Sequence, residues 1–327
     1  MAERIASRTT MVVVILIAAA LPLYAPTWVI TLFSRALIFA SLVLGLQIIA
    51  GQAGQISLGH AAFFGLGAYT AAILSRDYGV PFPLAMLAAA AAAAAGGLVM
   101  SVAVRVRGVY FAIATLAFGI VVNLLFVNLV DITGGARGFT GIPAAALWSF
   151  SIESQGRYYL LVLAVLVLQY ASLVRMAGGR FGRALRCIRE NELAARSVGI
   201  DLVRYKIQAI VAGCAWAGVA GALMTGFLRF ASPEMFTLLQ SIDAVTMLVV
   251  GGIASPLGAL VGAVVMSVVT SNMRSLGALA TVVDGLLIVL AMMYLPGGLA
   301  GLARQLWRRS SWGGRHDRER QLGEGTA

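Results

Sequence analysis

Gly178-Gly179-Arg180-Phe181-Gly182-Arg183-Ala184-Leu185-Arg186-Cys187-Ile188-Arg189-Glu190-Asn191-Glu192-Leu193-Ala194-Ala195-Arg196-Ser197-Val198-Gly199 is the one long charged segment between two apolar halves of the chain. Ala, Leu, Arg and Glu favour helix, Gly178, Gly179 and Gly182 bound the segment on one side, and Gly199 stands where a glycine ends a helix. Asp201 is placed to cap the next helix, which runs from Leu202 through Arg204 and Lys206 into an apolar stretch. Leu185, Ile188 and Ala195 share one face, while Arg183, Arg186, Arg189 and Arg196 outnumber Glu190 and Glu192 on the rest. The spacing predicts one amphipathic helix over 182–199, and by charge alone it is a basic loop held at an anionic lipid surface.

Working outward, the flanks are built for lipid. Of 327 residues 60% are hydrophobic and 11% charged, against roughly 25% charged in soluble domains. The net charge of +11 would point to nucleic acid in a soluble protein; in this background it asks which side of a membrane the arginines occupy. Thirty-seven glycines indicate close helix packing. Cys187 and Cys214, one in the charged segment and one in an apolar run, imply neither a disulfide framework nor a metal motif.

Apolar runs occur at 11–24, 31–49, 57–75, 83–104, 109–130, 157–175, 207–228, 241–254, 257–273 and 279–297, which predicts an all-α polytopic bundle of about ten transmembrane helices. The first run is expected to remain as an uncleaved span, because Pro26 follows the signal-like Leu23-Tyr24-Ala25 directly. Gly251-Gly252 interrupts the short run at 241–254, which is expected to be broken or re-entrant. With the N-terminus inside, eighteen Arg and Lys residues fall on the inner face and six on the outer: Arg35, Arg76, Arg137, Arg157, Arg229 and Arg274. That excess places segment 176–206 in the cytoplasm, together with a basic, polar tail at 304–327 that follows a membrane domain at 1–303.

Small residues recur every fourth position at Gly213, Ala217 and Gly221 and at Gly258 and Gly262, and Ala88 to Ala95 form an alanine run; all are expected to pack helix on helix. Gly51 to Tyr69 is different in kind. Gln52, Gln55, Ser57 and His60 sit there among glycines at a membrane boundary, a composition that breaks a helix and turns polar groups toward a cavity or toward one another.

Several stretches carry a resemblance. Ala194-Ala195-Arg196-Ser197-Val198-Gly199, preceded by Glu192, resembles the Glu-Ala-Ala-x-x-x-Gly loop by which permease subunits of ATP-driven bacterial importers dock on their ATPase, with Leu193 where that loop has its Glu. Gly51 to Tyr69, Arg107 to Phe118, Thr133 to Pro143, Gly182 to Ala195, and Gly251-Gly252-Ile253 leading to Leu257-Gly258 resemble, in that order along the chain, the branched-chain amino acid ABC importer permease family of the LivM type. The resemblance covers residues 40 to 300. It implies an importer of amino acids, most of all Leu, Ile and Val, with a urea or short-amide permease of the same family as the alternative. It also implies a second similar permease, two cytoplasmic ATPase subunits and an extracytoplasmic solute-binding protein as partners, in a bacterial inner membrane with both termini cytoplasmic.

This chain is expected not to be an enzyme and to carry no cofactor or metal. It has no His-Glu-x-x-His, no Gly-x-Ser-x-Gly and no Gly-x-x-x-x-Gly-Lys-Ser/Thr, and its single lysine, Lys206, follows Tyr205. ATP and Mg are therefore expected on the partner ATPases, and no nucleic acid is expected. The only acids within the proposed spans, Asp243 and Asp284, are read near outer helix ends, which fits an entrance or a cap better than the midplane site of an ion-driven carrier. Three groups of site residues follow. Arg183, Arg186, Arg189, Glu190, Glu192, Ala194, Ala195 and Gly199 belong to the ATPase-docking loop. Gln52, Gln55, Ser57 and His60, with Tyr110 and Thr115 on a neighbouring span, border the translocation path. Arg137, Arg157, Arg229 and Glu234 meet the binding protein outside.

Overall fold

The computed structural model describes residues 16–106, 108–147, 150–273, 285, 293 and 297–302. Within them the regular elements are helices, apart from a two-residue antiparallel pairing of Ala146–Leu147 with Phe150–Ser151 and one isolated bridge. A helical stretch over 16–24 precedes α1 (Thr27–Leu46), which continues as a π-helical turn over Gln47–Gln52. Then come α2 (His60–Asp77), α3 (Phe82–Met100), α4 (Val109–Asn128), α5 (Gln155–Gly178), α6 (Arg180–Glu190), α7 (Glu192–Ser197), α8 (Leu202–Leu228), α9 (Leu238–Gly251) and α10 (Pro256–Met273).

Six runs among the described residues are long and apolar enough to cross a membrane: Thr27–Gln52, Phe82–Arg105, Val109–Asn128, Gln155–Gly178, Leu202–Leu228 and Pro256–Met273. They match six of the ten spans read from the sequence. The other four differ for separate reasons. Only 16–24 of the first run is described. The run at 57–75 begins as helix only at His60, and α2 carries Tyr69, Thr70, Ser75, Arg76 and Asp77, so it falls short in apolarity. It has no need of a lipid-facing composition, because it packs between α3 and α8 and eleven of its residues are buried. The run at 241–254 is broken, as its glycines predict: α9 stops after 14 residues at Gly252, whose φ of 112° a side chain would resist. At about 1.5 Å per residue it is too short for the hydrocarbon core. The run at 279–297, with Asp284, and the tail at 304–327 lie outside the described residues, save isolated positions.

α1 and α8 form the centre. In the most apolar window of each, 72% and 61% of residues are buried, against 28% for α4. α8 lies against α1, α2 and α3 at once. The small-residue stripe makes this possible: a Cβ built on Gly213 would stand 2.6 Å from the Gly45 carbonyl oxygen, and one on Gly45 equally close to that of Gly213. Backbones that approach this closely gain dispersion contacts, which drive helix association where lipid removes the hydrophobic term. Ala89 and Ala93 of the alanine run face Gly218 in the same way, and Gly258 and Gly262 face Gly251.

The two ends of the bundle differ. At one end the loops carrying Arg137 and Arg229 are stitched by a bridge between Phe139 and Ala231 (N–H to carbonyl 2.7 and 3.1 Å). Arg76 lies 3.5 Å over the Phe139 ring and donates to the Thr140 carbonyl at 3.1 Å. At the other end, the π-helical exit of α1 meets α6.

Candidate functional site

The charged segment folds as a knob of two helices where the sequence predicts one. Asn191 sits extended (φ −157°, ψ 110°) between α6 and α7, and its side-chain oxygen accepts from the N–H groups of Leu193 (2.9 Å) and Ala194 (3.1 Å). This side chain competes for the backbone donors that a continuous helix would use, so α6 ends and α7 starts anew. The far end folds as read. Gly199 takes φ 78°, its N–H donates to the Arg196 carbonyl and that of Ile200 to the Ala195 carbonyl, both at 3.0 Å, a Schellman stop. Asp201 then caps α8 by accepting from the Arg204 N–H at 3.1 Å.

Leu185, Ile188 and Ala195 are buried beneath the knob. Ala195, placed by the sequence in the docking loop and on the apolar face, is 1% exposed and lies on the buried side of the knob. Arg183, Arg186, Arg189, Glu190, Ala194 and Gly199 are exposed. So are two apolar side chains that charge patterning passes over, Leu193 (71%) and Val198 (72%).

Two long-range contacts fasten the knob. Lys206 Nζ, in the first turns of α8, donates to Glu192 Oε1 at 2.6 Å, with side-chain exposures of 5% and 26%. Arg189 Nη1 donates to the Gly51 carbonyl, in the π-helical turn where the main-chain ladder is shifted. Gly54, at φ 70°, gives the Arg189 side chain passage: a Cβ there would meet its Cγ at 2.7 Å. Gln55 from the break and Arg189, Glu190, Glu192 and Lys206 thereby line one recess. Two groups that the sequence assigned to different tasks are neighbours.

The break itself is buried and polar. Gln52 is 6% exposed, Gln55 7%, Ser57 and His60 0%. His60 Nε2 lies 3.3 Å from the Leu42 carbonyl, whereas its Nδ1, Ser57 Oγ, the Oε1 atoms of Gln52 and Gln55, and both polar atoms of the nearby Gln47 have no hydrogen-bond partner among the described residues. Orphaned polar atoms at this density in a buried segment are costly. Gln47 belongs with them, although sequence reading left it in an apolar run. Thr115 joins the group as a bolt: its hydroxyl accepts from the Leu58 N–H at 3.0 Å and donates to the Ala112 carbonyl at 2.8 Å. Tyr110 does not join it. Five residues earlier on α4 it lies about 140° around the helix and is 72% exposed.

At the opposite end Arg137, Arg157, Arg229 and Glu234 are all exposed. Arg137 closes the turn Gly135–Arg137, Arg157 stands in the first turn of α5, and Arg229 caps α8 at φ 55°. Glu234 lies on the turn Pro233–Phe236, whose Pro233 and Phe236 are buried and whose carbonyls take the Asn123 amide at 2.8 and 3.3 Å.

Residues 28–295 match the family model described as branched-chain amino acid transport system / permease component. The chain is 32% identical over 314 residues to the high-affinity branched-chain amino acid transport system permease protein LivM of Salmonella typhimurium, covering 89% of this chain and 74% of that protein. Identity to LivM of Escherichia coli strain K12 is 31% over 318 residues, covering 90% and 75%. Identity to the permease protein LivH of Salmonella typhimurium is 27% over 286 residues, covering 80% and 91%. A membrane bundle of this architecture, matched over most of its length, has one placement: the chain belongs to the family of branched-chain amino acid transport system permease components.

Proposed function

We propose that this chain is one of two permease subunits of an ATP-driven importer that moves Leu, Ile and Val across a bacterial inner membrane. Its residues 1–303 form the multi-pass membrane domain, both termini lie in the cytoplasm, and the second permease is a related chain of the kind that the LivH match represents. Two cytoplasmic ATPase subunits hold ATP and Mg, and an extracytoplasmic binding protein delivers the cargo. The single observation that carries the reading is the fastening of the knob. Leu193 and Val198 stand out for an ATPase groove, while Arg189 on the Gly51 carbonyl ties the same knob to the buried polar break of α1.

In this reading the knob is a lever. ATPase closure pulls α6 and α7, Arg189 transmits the pull to Gly51, and Gln52, Gln55, Ser57 and His60 exchange partners as the path opens. The Glu192–Lys206 pair passes the same motion to α8, the central helix of the bundle. Outside, Arg137, Arg157, Arg229 and Glu234 receive the binding protein. The four-component complex in proteoliposomes tests the reading: leucine uptake that needs both ATP and the binding protein supports it. Uptake driven by an ion gradient with neither would overturn it, and uptake of urea or short amides in place of leucine would move the chain to another cargo.

A further inference from the structure

Arg35 is counted among the outer charges when the sequence is read, yet it lies well inside α1, about 12 Å along the axis from Thr27 at 1.5 Å per residue. There it lines a recess between α1, α9 and α10 together with Asp243, Thr246, Met247, Met266 and Ser267. Among the described residues its lining has one cationic and one anionic group, with hydroxyls and the apolar Phe39, Met247 and Met266 between them. Arg35 stands 5.6 Å from the Phe39 ring, which also lines the recess. Asp243 is exposed at the mouth, whereas Thr246, Met247, Met266 and Ser267 are buried. Ser267 Oγ is a second, independent sign: the residue is 8% exposed and its hydroxyl has no hydrogen-bond partner among the described residues.

Ionisable side chains within membrane spans are retained for function. A cation site would gather carboxylates and an anion site would exclude one; this recess does neither. We propose that it is a transit site for a zwitterionic α-amino acid. Arg35 takes the carboxylate, Asp243 the ammonium, Ser267 adds a hydrogen bond, and the aliphatic side chain lies on Phe39, Met247 and Met266. Arg35 and Asp243 each have further interactions in the protein, so cargo binds by exchanging partners and leaves as readily. This site reads the groups that all α-amino acids share and leaves side-chain selection to whatever delivers them. The proposal rests on the importer reading. The headgroup of phosphatidylethanolamine has the same zwitterionic chemistry, and the test separates the two.

The test uses the assembled complex in nanodiscs of phosphatidylglycerol alone, with a diazirine analogue of leucine as photoprobe and no binding protein. Labelling of α1, α9 or α10 is expected, displaced by leucine but far less by 4-methylpentanoate or 3-methylbutylamine, which each lack one charge. Asp243→Asn and Arg35→Gln are each expected to cut labelling about tenfold or more, the usual effect of losing a charge-assisted hydrogen bond, and Ser267→Ala by less. Labelling elsewhere only, or equal displacement by the acid or the amine, would overturn the site. So would labelling that phosphatidylethanolamine abolishes and leucine does not. Leucine uptake by the same complex, run with ATP and binding protein, keeps the two readings apart. Its absence in the wild type sinks the importer, while uptake that survives Asp243→Asn with unaltered labelling sinks only the transit site.

Discussion

Lys206 Nζ donates to Glu192 Oε1 at 2.6 Å, and the two are unequally placed: Lys206 is nearly enclosed, Glu192 is a quarter exposed. Removing one partner leaves the other to bear its own desolvation, so the substitutions are not equivalent. Glu192→Ala strands a buried ammonium and is expected to cost about 1–3 kcal/mol, whereas Lys206→Met leaves a carboxylate that water still reaches and costs less. Thermal unfolding of the purified complex checks the order. The double variant should recover part of the Glu192→Ala loss, as coupled groups do in a double-mutant cycle; strict additivity would show that the pair does not fasten the knob.

The outer surface of the knob and its seat are separable. Leu193 is 71% exposed and Ala195 1%. Leu193→Asp is expected to leave folding within about 0.5 kcal/mol, as surface changes do, while abolishing ATPase binding in a pull-down of the detergent-solubilised permease pair. Ala195→Trp forces a large ring into a packed seat, costs about 1–3 kcal/mol or more, and should lower the unfolding temperature before any partner is added. If Leu193→Asp retained full ATPase binding, the docking face would lie elsewhere on the knob.

What the sequence made legible was local. Gly199 and Asp201 act within a few residues of themselves, and the glycine stripe of α8 repeats at helical spacing, so each could be read from a short window. Asn191 was hidden because its neighbours Glu190, Glu192 and Leu193 favour helix, and only the competition of its side chain for two N–H groups breaks the run. Contacts over long separations left no local trace. Arg189 and Gly51 are 138 residues apart, and nothing in either motif points to the other. α2 misled for a different reason: its surroundings are protein, so hydropathy understates its place in the core. Arg35 was assigned by charge to an outer loop because loop counting ignores how deep a side chain sits in its own helix.

The buried break makes an accessibility prediction. Gln55 and Ser57 are 7% and 0% exposed in this conformation. Cysteines at both positions, in a background without Cys187 and Cys214, should resist a membrane-impermeant thiol reagent in the resting complex and react during ATP turnover, since a path must wet as it opens. Protection in every state of the cycle would assign the segment to packing. Thr115→Val should mimic the wetting at rest, because it frees the Leu58 N–H that the hydroxyl now accepts at 3.0 Å. Leaving that donor unpaired costs about 1–3 kcal/mol.

The end of the bundle opposite the knob carries one more expected outcome. Bridging Phe139 to Ala231 holds the Arg137 loop against the Arg229 loop, and Arg76 braces it from below through the Phe139 ring and the Thr140 carbonyl. Arg137 is thus presented on a fixed loop and Arg157 on the first turn of α5, which spares a partner the entropy of ordering them. Each exposed charge pair is worth only about 0–1 kcal/mol, so their contribution should appear mainly in the rate and orientation of encounter. Reversing both to Glu is expected to slow capture of the loaded binding protein by about tenfold at low ionic strength, with the deficit shrinking as salt screens the field over a Debye length. Surface plasmon resonance on nanodisc-held complex at two salt concentrations measures it. A deficit that does not respond to salt would mean that the arginines hold the loops in shape and that the binding protein reads other groups. Arg76→Gln supplies the comparison: it loosens the brace without reversing any charge at the rim, so its deficit should persist at high salt.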